Sequence, residues 1–257
     1  MRQDWRAEFP FKSKWFDRGG GIRMHYVDEG AGEPVVMVHG NPSWSFYYRG
    51  LMKELRGSMR AIAMDQVGMG LSYKPDDGAY DHTLSSRVDD LEKLLAFLKL
   101  GPATLVVHDW GGAIGLSWAL RHPELVKRLV VLNTAAFFPP EGHALPWQLA
   151  LARTALGQCL IRGFNLFCRG AVRGCVTRRP MTKRAAAGYL APYDSWAHRR
   201  AVLRFVQDIP RRPADKAYAA MRRLDEGLSG LSGKPMLICW GGRDFVFNDD
   251  FLGDWKR

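Results

Sequence analysis

The chain has no long apolar run, few cysteines and no repeats. No stretch of about 18 apolar residues occurs, so we expect no membrane span. The N-terminus is charged and lacks an apolar core, which argues against a signal peptide. The four cysteines form no CxxC pair and no metal-ligand spacing. These absences favour a cytoplasmic protein with free thiols and without a metal site.

The composition is that of a globular protein. Of the 257 residues, 47% are hydrophobic and 25% are charged, which excludes long disorder, a collagen-like repeat and a disulfide-stabilised mini-protein. The length is sufficient for one large domain, or for a core with an insertion.

The net charge of +11 is concentrated in one segment. The stretch from Arg153 to Arg223 holds 16 Lys and Arg residues and three acids, whereas the rest of the chain holds 21 basic and 23 acidic residues. No nucleic-acid-binding motif accompanies the excess, so we expect no nucleic acid partner. A solvated basic face, or a docking face for an acidic partner or a lipid surface, is the preferred interpretation.

Short apolar runs alternate with amphipathic stretches along most of the chain. The predicted strands are Ile22–Val27, Val35–Val38, Ala61–Met64, Leu105–Val107, Leu129–Leu132 and Met236–Cys239. The predicted helices are Phe46–Leu55, a helix from the N-cap Thr83 to Leu98, and a helix that follows the sequence HDWGG and ends near Leu120. This alternation predicts an α/β fold with a mostly parallel sheet and helices on both faces.

The alternation stops between Phe138 and about residue 212, where helical segments such as Leu149–Leu156 dominate. We expect an inserted all-helical cap over the carboxyl edge of the sheet, where ligands bind in open α/β folds. The predicted division is a core at residues 1–138, a cap at 139–212 and a second core segment at 213–257. The candidate liners of an apolar tunnel under this cap are Phe138, Trp147, Phe164, Phe167 and Trp196.

The strongest functional signal is the sequence LVVHDWGG at residues 105–112, between a strand and a helix. A tight turn there places Asp109 at the end of the sheet, where the G-x-S-x-G elbow carries its nucleophile. Gly111 is the small residue that such a turn needs, whereas Val107 stands where a glycine is usual. A single Asp before a helix is more often an N-cap, but the preceding strand and the glycine favour a nucleophile.

An Asp nucleophile favours a particular chemistry. A carboxylate is ionised at neutral pH, so it can attack an sp³ carbon or open a strained ring without a base, and the product is an ester. A His then activates water or handles a proton, and a second carboxylate orients that His.

The loop HGNPSW at residues 39–44 follows the strand Val35–Val38 and faces the predicted nucleophile. The side-chain amide of Asn41 and the indole N–H of Trp110 can together hold a leaving anion. Taken singly, Asn41 is explained by a turn and Trp110 by packing. We expect His39 to be structural and His108 to point away from the nucleophile.

Asp244 follows the last predicted strand and is the candidate acid that orients a histidine, with Asp249 and Asp250 as alternatives. Asn133 occupies the other position for such an acid and cannot be an anion. No histidine follows Asp244 in this chain. We assign no catalytic His among the seven present: His25, His39, His82, His108, His122, His143 and His198.

The motifs HGNPSW, DQVGMGLSYKP and HDWGGAIG resemble those of α/β-hydrolases of the haloalkane-dehalogenase-like branch. The segments NTAAF at 133–137, RGFN at 162–165, YLAPYDSW at 189–196 and RFVQDIP at 204–210 resemble a narrower group, the β-lactone decarboxylases of bacterial long-chain olefin biosynthesis. The resemblance covers almost the whole chain and implies an α/β-hydrolase fold.

This resemblance implies nucleophile Asp109, leaving-group donors Asn41 and Trp110, and orienting acid Asp244. It implies a cis-3,4-dialkyl β-lactone as substrate, which loses carbon dioxide to give a cis-alkene. No metal or organic cofactor is expected. The expected partners are a hydrophobic small molecule and, as candidates, other enzymes of the same pathway.

The family places its catalytic His after an eighth strand, beyond the acid. We therefore expect a C-terminally truncated and impaired member, in which the last strand and the last helix are missing. Two other functions stay open. One is a haloalkane dehalogenase that uses the same Asp109, Asn41 and Trp110. The other is an inactive relative whose basic cap binds an acidic partner.

Overall fold

The structure, a computed structural model, describes residues 4–139 and 144–256. Its centre is a seven-stranded sheet in the order β1-β2-β4-β3-β5-β6-β7. The strands are β1 (Lys14–Gly19), β2 (Ile22–Glu29), β3 (Pro34–Val38), β4 (Arg60–Met64), β5 (Ala103–His108), β6 (Val126–Leu132) and β7 (Met236–Cys239). Strand β2 is antiparallel to both its neighbours, and every other neighbouring pair is parallel. The predicted mostly parallel sheet is therefore confirmed.

The central strands are nearly continuous apolar sequences because both of their faces are covered. Four of the five residues of β3 and of β4 are buried, as are five of the six of β5. The sequence pattern did not predict β1, and the reason is its exposure at the sheet edge. Only Phe16 is buried in β1, so the strand carries little apolar signal.

The helices are α1 (Arg49–Leu55), α2 (Leu84–Leu98), α3 (Trp110–Arg121), α4 (Trp147–Ala152), α5 (Ala155–Phe164), α6 (Leu166–Gly174), α7 (Lys183–Leu190), α8 (Arg200–Gln207), α9 (Tyr218–Gly227) and α10 (Asp249–Trp255). The predicted cap of Thr83 is confirmed, since its hydroxyl accepts the Ser86 N–H. No helix in residues 4–139 and 144–256 is long and apolar enough to cross a bilayer.

Five helices, α4 to α8, follow β6, and no strand occurs between β6 and β7 in the described part of the chain. The predicted single helix Leu149–Leu156 is wrong. Helix α4 ends at Ala152, and Thr154 begins α5 by accepting the N–H of Gly157 at 3.1 Å. A Thr side chain competes for backbone donors, which makes it a better N-cap than a helix-interior residue.

Strand β7 pairs only with β6 among the described residues. Side chains of this strand are therefore exposed to solvent: Leu237 is 57% exposed and Met236 is 38% exposed. This strand therefore contributes less buried apolar surface than β3 or β5, although its carbonyl and N–H groups continue the parallel ladder.

A buried ion pair ties the cap to the core. The Arg87 guanidinium of α2 donates to Asp208, which follows α8, at 2.8 Å, with 1% and 6% of the two side chains exposed. It also lies 3.7 Å from the ring centroid of Phe205 in α8. Burial lowers the pKa of Arg87 and raises that of Asp208 to about 6, so desolvation outweighs the attraction between the two charges.

Removing one charge of this pair should destabilise the protein more than removing both charges. Asp208→Ala leaves a buried guanidinium without its partner and should lower the free energy of unfolding by about 3–5 kcal/mol. The double variant Arg87→Met with Asp208→Leu should recover most of that loss, because no charge remains buried. Urea unfolding of both variants checks this. Equal instability of the two would show that the pair itself, not the unpaired charge, is what matters.

Candidate active site

Asp109 lies at the tip of the turn between β5 and α3, as the sequence predicts. Its φ of 52° with ψ of −131° is a conformation that residues other than Gly rarely adopt. The turn is tied from both sides. The Asp109 N–H donates to the Asn133 carbonyl at 3.1 Å, and its carbonyl accepts from the Gly112 N–H and the Thr134 hydroxyl. The strained backbone is thus stabilised by the end of the neighbouring strand β6.

Two glycines make room for this turn. A Cβ on Gly111 would overlap the Val38 carbonyl oxygen, and a Cβ on Gly40 would overlap the Asp109 carboxylate. Val107 replaces the usual glycine before the tip without a clash, because its side chain fills the space left by the missing Cβ of Gly115 in α3. The departure from the usual elbow sequence is therefore compensated within the same motif.

Backbone N–H groups hold the Asp109 carboxylate. The Asn41 N–H donates to its Oδ1 at 2.6 Å, and the Trp110 N–H is a second donor. Both donors belong to residues of the two predicted motifs, but they are main-chain N–H groups, whereas the motifs indicated the side chains of these residues. They fix the orientation of the carboxylate before any substrate arrives.

The Asn41 side chain is engaged by the cap. Its Nδ2 donates to the Val202 carbonyl of α8 at 3.0 Å, and because a carbonyl only accepts, this bond sets the orientation of the amide. The Trp110 ring also packs against α8, with its centroid 5.6 Å from that of Phe205. Both predicted leaving-group donors therefore lie at the boundary between Asp109 and the cap, where their positions depend on α8.

Burial governs the charge of Asp109. Desolvation raises its pKa from 3.8 to about 7, against the opposing effect of the two backbone donors, and the negative charge of Asp244 adds to the rise. Near neutral pH the carboxylate and the carboxylic acid are both well populated. The ionised form is the one that can attack carbon.

Asp244 lies in the loop after β7. Its Oδ1 accepts the N–H groups of Val246 and Phe247 at 2.8 and 3.0 Å, and burial raises its pKa. The carboxylate is thus held rigidly by its own loop. Asn133, whose carbonyl accepts the Asp109 N–H, also bonds to this loop, so the two acids lie in one region of the protein.

Asn133 positions the loop that carries Asp244. Its Nδ2 donates to the carbonyls of Gly241 and Phe247 at 3.1 and 3.3 Å, and its Oδ1 accepts the Gly241 N–H at 2.7 Å. From the sequence we inferred only that Asn133 cannot be the orienting anion. Its position just after β6 was the available signal, but its partners lie more than 100 residues away and no local pattern identifies them.

The comparison with known proteins agrees with the fold described above. The family described as having an alpha/beta hydrolase fold matches residues 33–257. The chain belongs to the α/β-hydrolase family.

Two relatives of this α/β-hydrolase are cis-3-alkyl-4-alkyloxetan-2-one decarboxylases. The Shewanella oneidensis protein is 51% identical over 96% of this chain and 78% of its own length. The Xanthomonas campestris pv. campestris protein is 48% identical over 97% of this chain and 86% of its own length. Among solved structures, the haloalkane dehalogenase DatA from Agrobacterium tumefaciens C58 matches with a TM-score of 0.83 and 25% identity, covering 97% of this chain and 86% of that one.

Among the six described histidines of this α/β-hydrolase, none hydrogen-bonds to Asp109 or Asp244. His143 lies outside the described residues. His39 lies beneath its loop, where Nδ1 donates to the Gly40 carbonyl and Nε2 accepts the Gln66 N–H. This is the structural role that the sequence predicts for it.

Two other histidines also contact groups other than Asp109 and Asp244. His108 stacks on Tyr47 with a centroid separation of 4.3 Å, and burial lowers its pKa to about 4, so the ring is neutral at pH 7. The motifs did not indicate this stack. His198 is exposed and bonds to Asp194 at 2.7 Å.

The predicted lining of the tunnel is wrong for three of its five aromatic residues. Trp147, Phe164 and Trp196 are 70%, 62% and 50% exposed, which is not expected of side chains enclosed in a tunnel. Phe138 and Phe167 are partly buried against the core. Asp109 itself is partly accessible at the boundary with the cap.

Neutralising Asp109 should stabilise the protein only at high pH. Folding raises the pKa of this carboxyl to about 7, so its ionisation penalises the folded state increasingly from about pH 4 to about pH 7, and fully above that. Asp109→Asn should gain about 1–3 kcal/mol near pH 8 and nothing near pH 4. Thermal unfolding across this range checks it, with exposed Glu54→Gln in α1 as the control. A pH-independent gain would contradict the proposed cause.

Because the Asn133 side chain donates two hydrogen bonds to carbonyl groups, we expect Asn133→Asp to be less stable than Asn133→Ala near neutral pH. Asn133→Ala removes three hydrogen bonds and should cost about 1–3 kcal/mol. Asn133→Asp should cost more near neutral pH, because an anion would face the Gly241 and Phe247 carbonyl oxygens. Thermal unfolding should show the Asp variant approaching the Ala variant as acid protonates the new carboxyl. An Asp variant as stable as the wild type would contradict the positioning role.

Proposed function

We propose that this α/β-hydrolase is a cis-3-alkyl-4-alkyloxetan-2-one decarboxylase, which converts a cis β-lactone with two alkyl chains into a cis-alkene and carbon dioxide. The supporting observation is the 51% and 48% identity to two such decarboxylases across nearly the whole chain. The dehalogenase DatA shares the fold at only 25% identity.

In this proposal Asp109 is the nucleophile. Its carboxylate attacks the sp³ ring carbon that bears the ring oxygen, so a bond forms between Asp109 and that carbon. The ring C–O bond breaks with inversion, and its electrons stay on the substrate carboxylate. The side chains of Asn41 and Trp110 stabilise this leaving carboxylate.

The ester then collapses without water. The C–C bond between the substrate carboxylate and the carbon next to the one attacked breaks, and carbon dioxide leaves. The electrons of this bond form the C=C bond, and the C–O bond to Asp109 breaks to return the enzyme carboxylate. Inversion followed by anti elimination preserves the cis relation of the two alkyl chains. No proton is gained or lost in either step, so this route requires no general base.

Haloalkane dehalogenation is the second candidate, supported by the same Asp109, Asn41 and Trp110 and by the fold of DatA. Here a halide leaves first, and the ester on Asp109 must be hydrolysed. Hydrolysis needs activated water, for which general-base catalysis supplies about 10²–10⁴-fold. In this route Asp244 orients the base, a role that the decarboxylation steps do not use.

The β-lactone should be converted to alkene and carbon dioxide in equal amounts, as measured by gas chromatography. Asp109→Ala should abolish the conversion, whereas Glu54→Gln should retain it. Because only ionised Asp109 attacks, the wild-type single-turnover rate should rise with pH around a midpoint near 7. Alkene formation that survives Asp109→Ala would remove Asp109 from the mechanism.

A 1-bromoalkane separates the two candidate functions. We expect one alkyl group to accumulate on Asp109, visible by intact-mass spectrometry and absent from Asp109→Ala, with little multiple turnover. Sustained bromide release would instead assign the dehalogenase function and identify an active base. If the β-lactone gave no alkene and the bromoalkane gave no adduct on Asp109, a binding role without catalysis would be favoured.

A further inference from the structure

One long segment of the cap sequence, from residue 142 to residue 193, carries basic residues without acidic ones. Residues 142–193 contain eight Lys and Arg residues and no Asp or Glu. This segment includes α5 and α6, which pack against each other and carry several exposed apolar side chains. The most exposed members define what we call the α5–α6 face: Leu156, Cys159, Phe164, Leu166, Arg169 and Arg173.

Helix α5 is apolar on both sides. Gly157 and Ile161 are buried four residues apart and face the protein. Leu156 and Cys159 are exposed on the other side, and Leu156 is 61% exposed. A surface helix of a globular protein normally presents polar side chains to water, so this outer stripe is unexplained by folding alone.

Helix α6 adds positive charge beside that stripe. Leu166, Arg169 and Arg173 are exposed at spacings of three and four residues, whereas Cys168 is buried. Arg169 and Arg173 form no ion pair within residues 4–139 and 144–256.

Next to the end of α5, Trp196 is 50% exposed. The Arg162 guanidinium lies 4.5 Å from the centroid of its ring. The face therefore combines two arginines that lack an ion-pair partner among the described residues with exposed aromatic and aliphatic side chains.

We propose that the α5–α6 face docks on an anionic lipid bilayer. Anionic headgroups would neutralise Arg169 and Arg173, while Leu156, Phe164 and Leu166 enter the boundary of the acyl chains. Trp196 is the kind of amphipathic ring that prefers this interface. A second copy of this chain is a poorer occupant, because it would bring two basic faces together.

An acidic protein would match the charge of this face as well. A bilayer is preferred because Leu156, Phe164 and Leu166 are 61%, 62% and 47% exposed, and a bilayer accepts such apolar groups without a surface of complementary shape. The docked cap would hold α8, which contacts Asn41 and Trp110, close to the lipid. The inference does not depend on which reaction the site performs.

The test is cosedimentation of the full chain with vesicles. Phosphatidylcholine vesicles containing about one third phosphatidylglycerol should bind the protein, and pure phosphatidylcholine should bind it far less, with attraction falling as salt rises. The double variant Arg169→Glu with Arg173→Glu should weaken binding at least tenfold. Leu156→Ser with Phe164→Ser should also weaken it. Far-ultraviolet circular dichroism and thermal unfolding verify that the variants fold.

Matched controls separate this face from net charge and from general apolarity. Lys53→Glu with Lys93→Glu changes the same charge on α1 and α2, and Leu51→Ser removes an exposed leucine of α1; both should leave binding nearly unchanged. Equal losses in the controls, or no vesicle binding by the wild type, would overturn the proposal. Binding to polyglutamate without vesicle binding would assign the face to an acidic protein instead.

Discussion

The left-handed backbone at Asp109 is the constraint on which the rest of the site depends. A side chain in this conformation is tolerated only where neighbouring groups oppose the strain. Here those groups are the Asn133 carbonyl, the Thr134 hydroxyl and the space left by Gly40 and Gly111. They come from loops after three adjacent parallel strands, so the turn can form only when the sheet has assembled.

The same crowding that stabilises the turn also limits the contact of the carboxylate with water. Desolvation raises the pKa of Asp109 towards neutrality, which makes the anion more basic and therefore more reactive towards carbon. Helix α8 takes part in this exclusion. It contacts Asn41 through Val202 and Trp110 through Phe205, and the Arg87–Asp208 pair fixes it to the core. The cap thus contributes directly to the surroundings of the predicted nucleophile.

The proposed decarboxylation and the alternative dehalogenation begin with the same displacement and differ in the fate of the ester. In a β-lactone the leaving carboxylate stays bonded to the neighbouring carbon after it is displaced from the attacked carbon. It can therefore leave that neighbouring carbon as carbon dioxide in the second step. A halide is lost, and only water can then release the enzyme. In these two proposals the need for a base, and with it the proposed role of Asp244, therefore depends on the substrate rather than on the fold.

Local patterns in the sequence determined the central strands, the turn at Asp109 and the all-helical stretch after β6. Those features follow from consecutive residues whose periodicity and turn chemistry act over a few positions. Strand β1, the engagement of Asn41 by the cap, and the hold of Asn133 on the Asp244 loop were decided by the tertiary structure. Each of these depends on partners distant in sequence, or on an exposure that apolar periodicity does not record. The lining by the three exposed aromatic residues was wrongly predicted for that reason, since an aromatic residue in a helix or a turn gives the same sequence pattern whether it faces a tunnel or solvent.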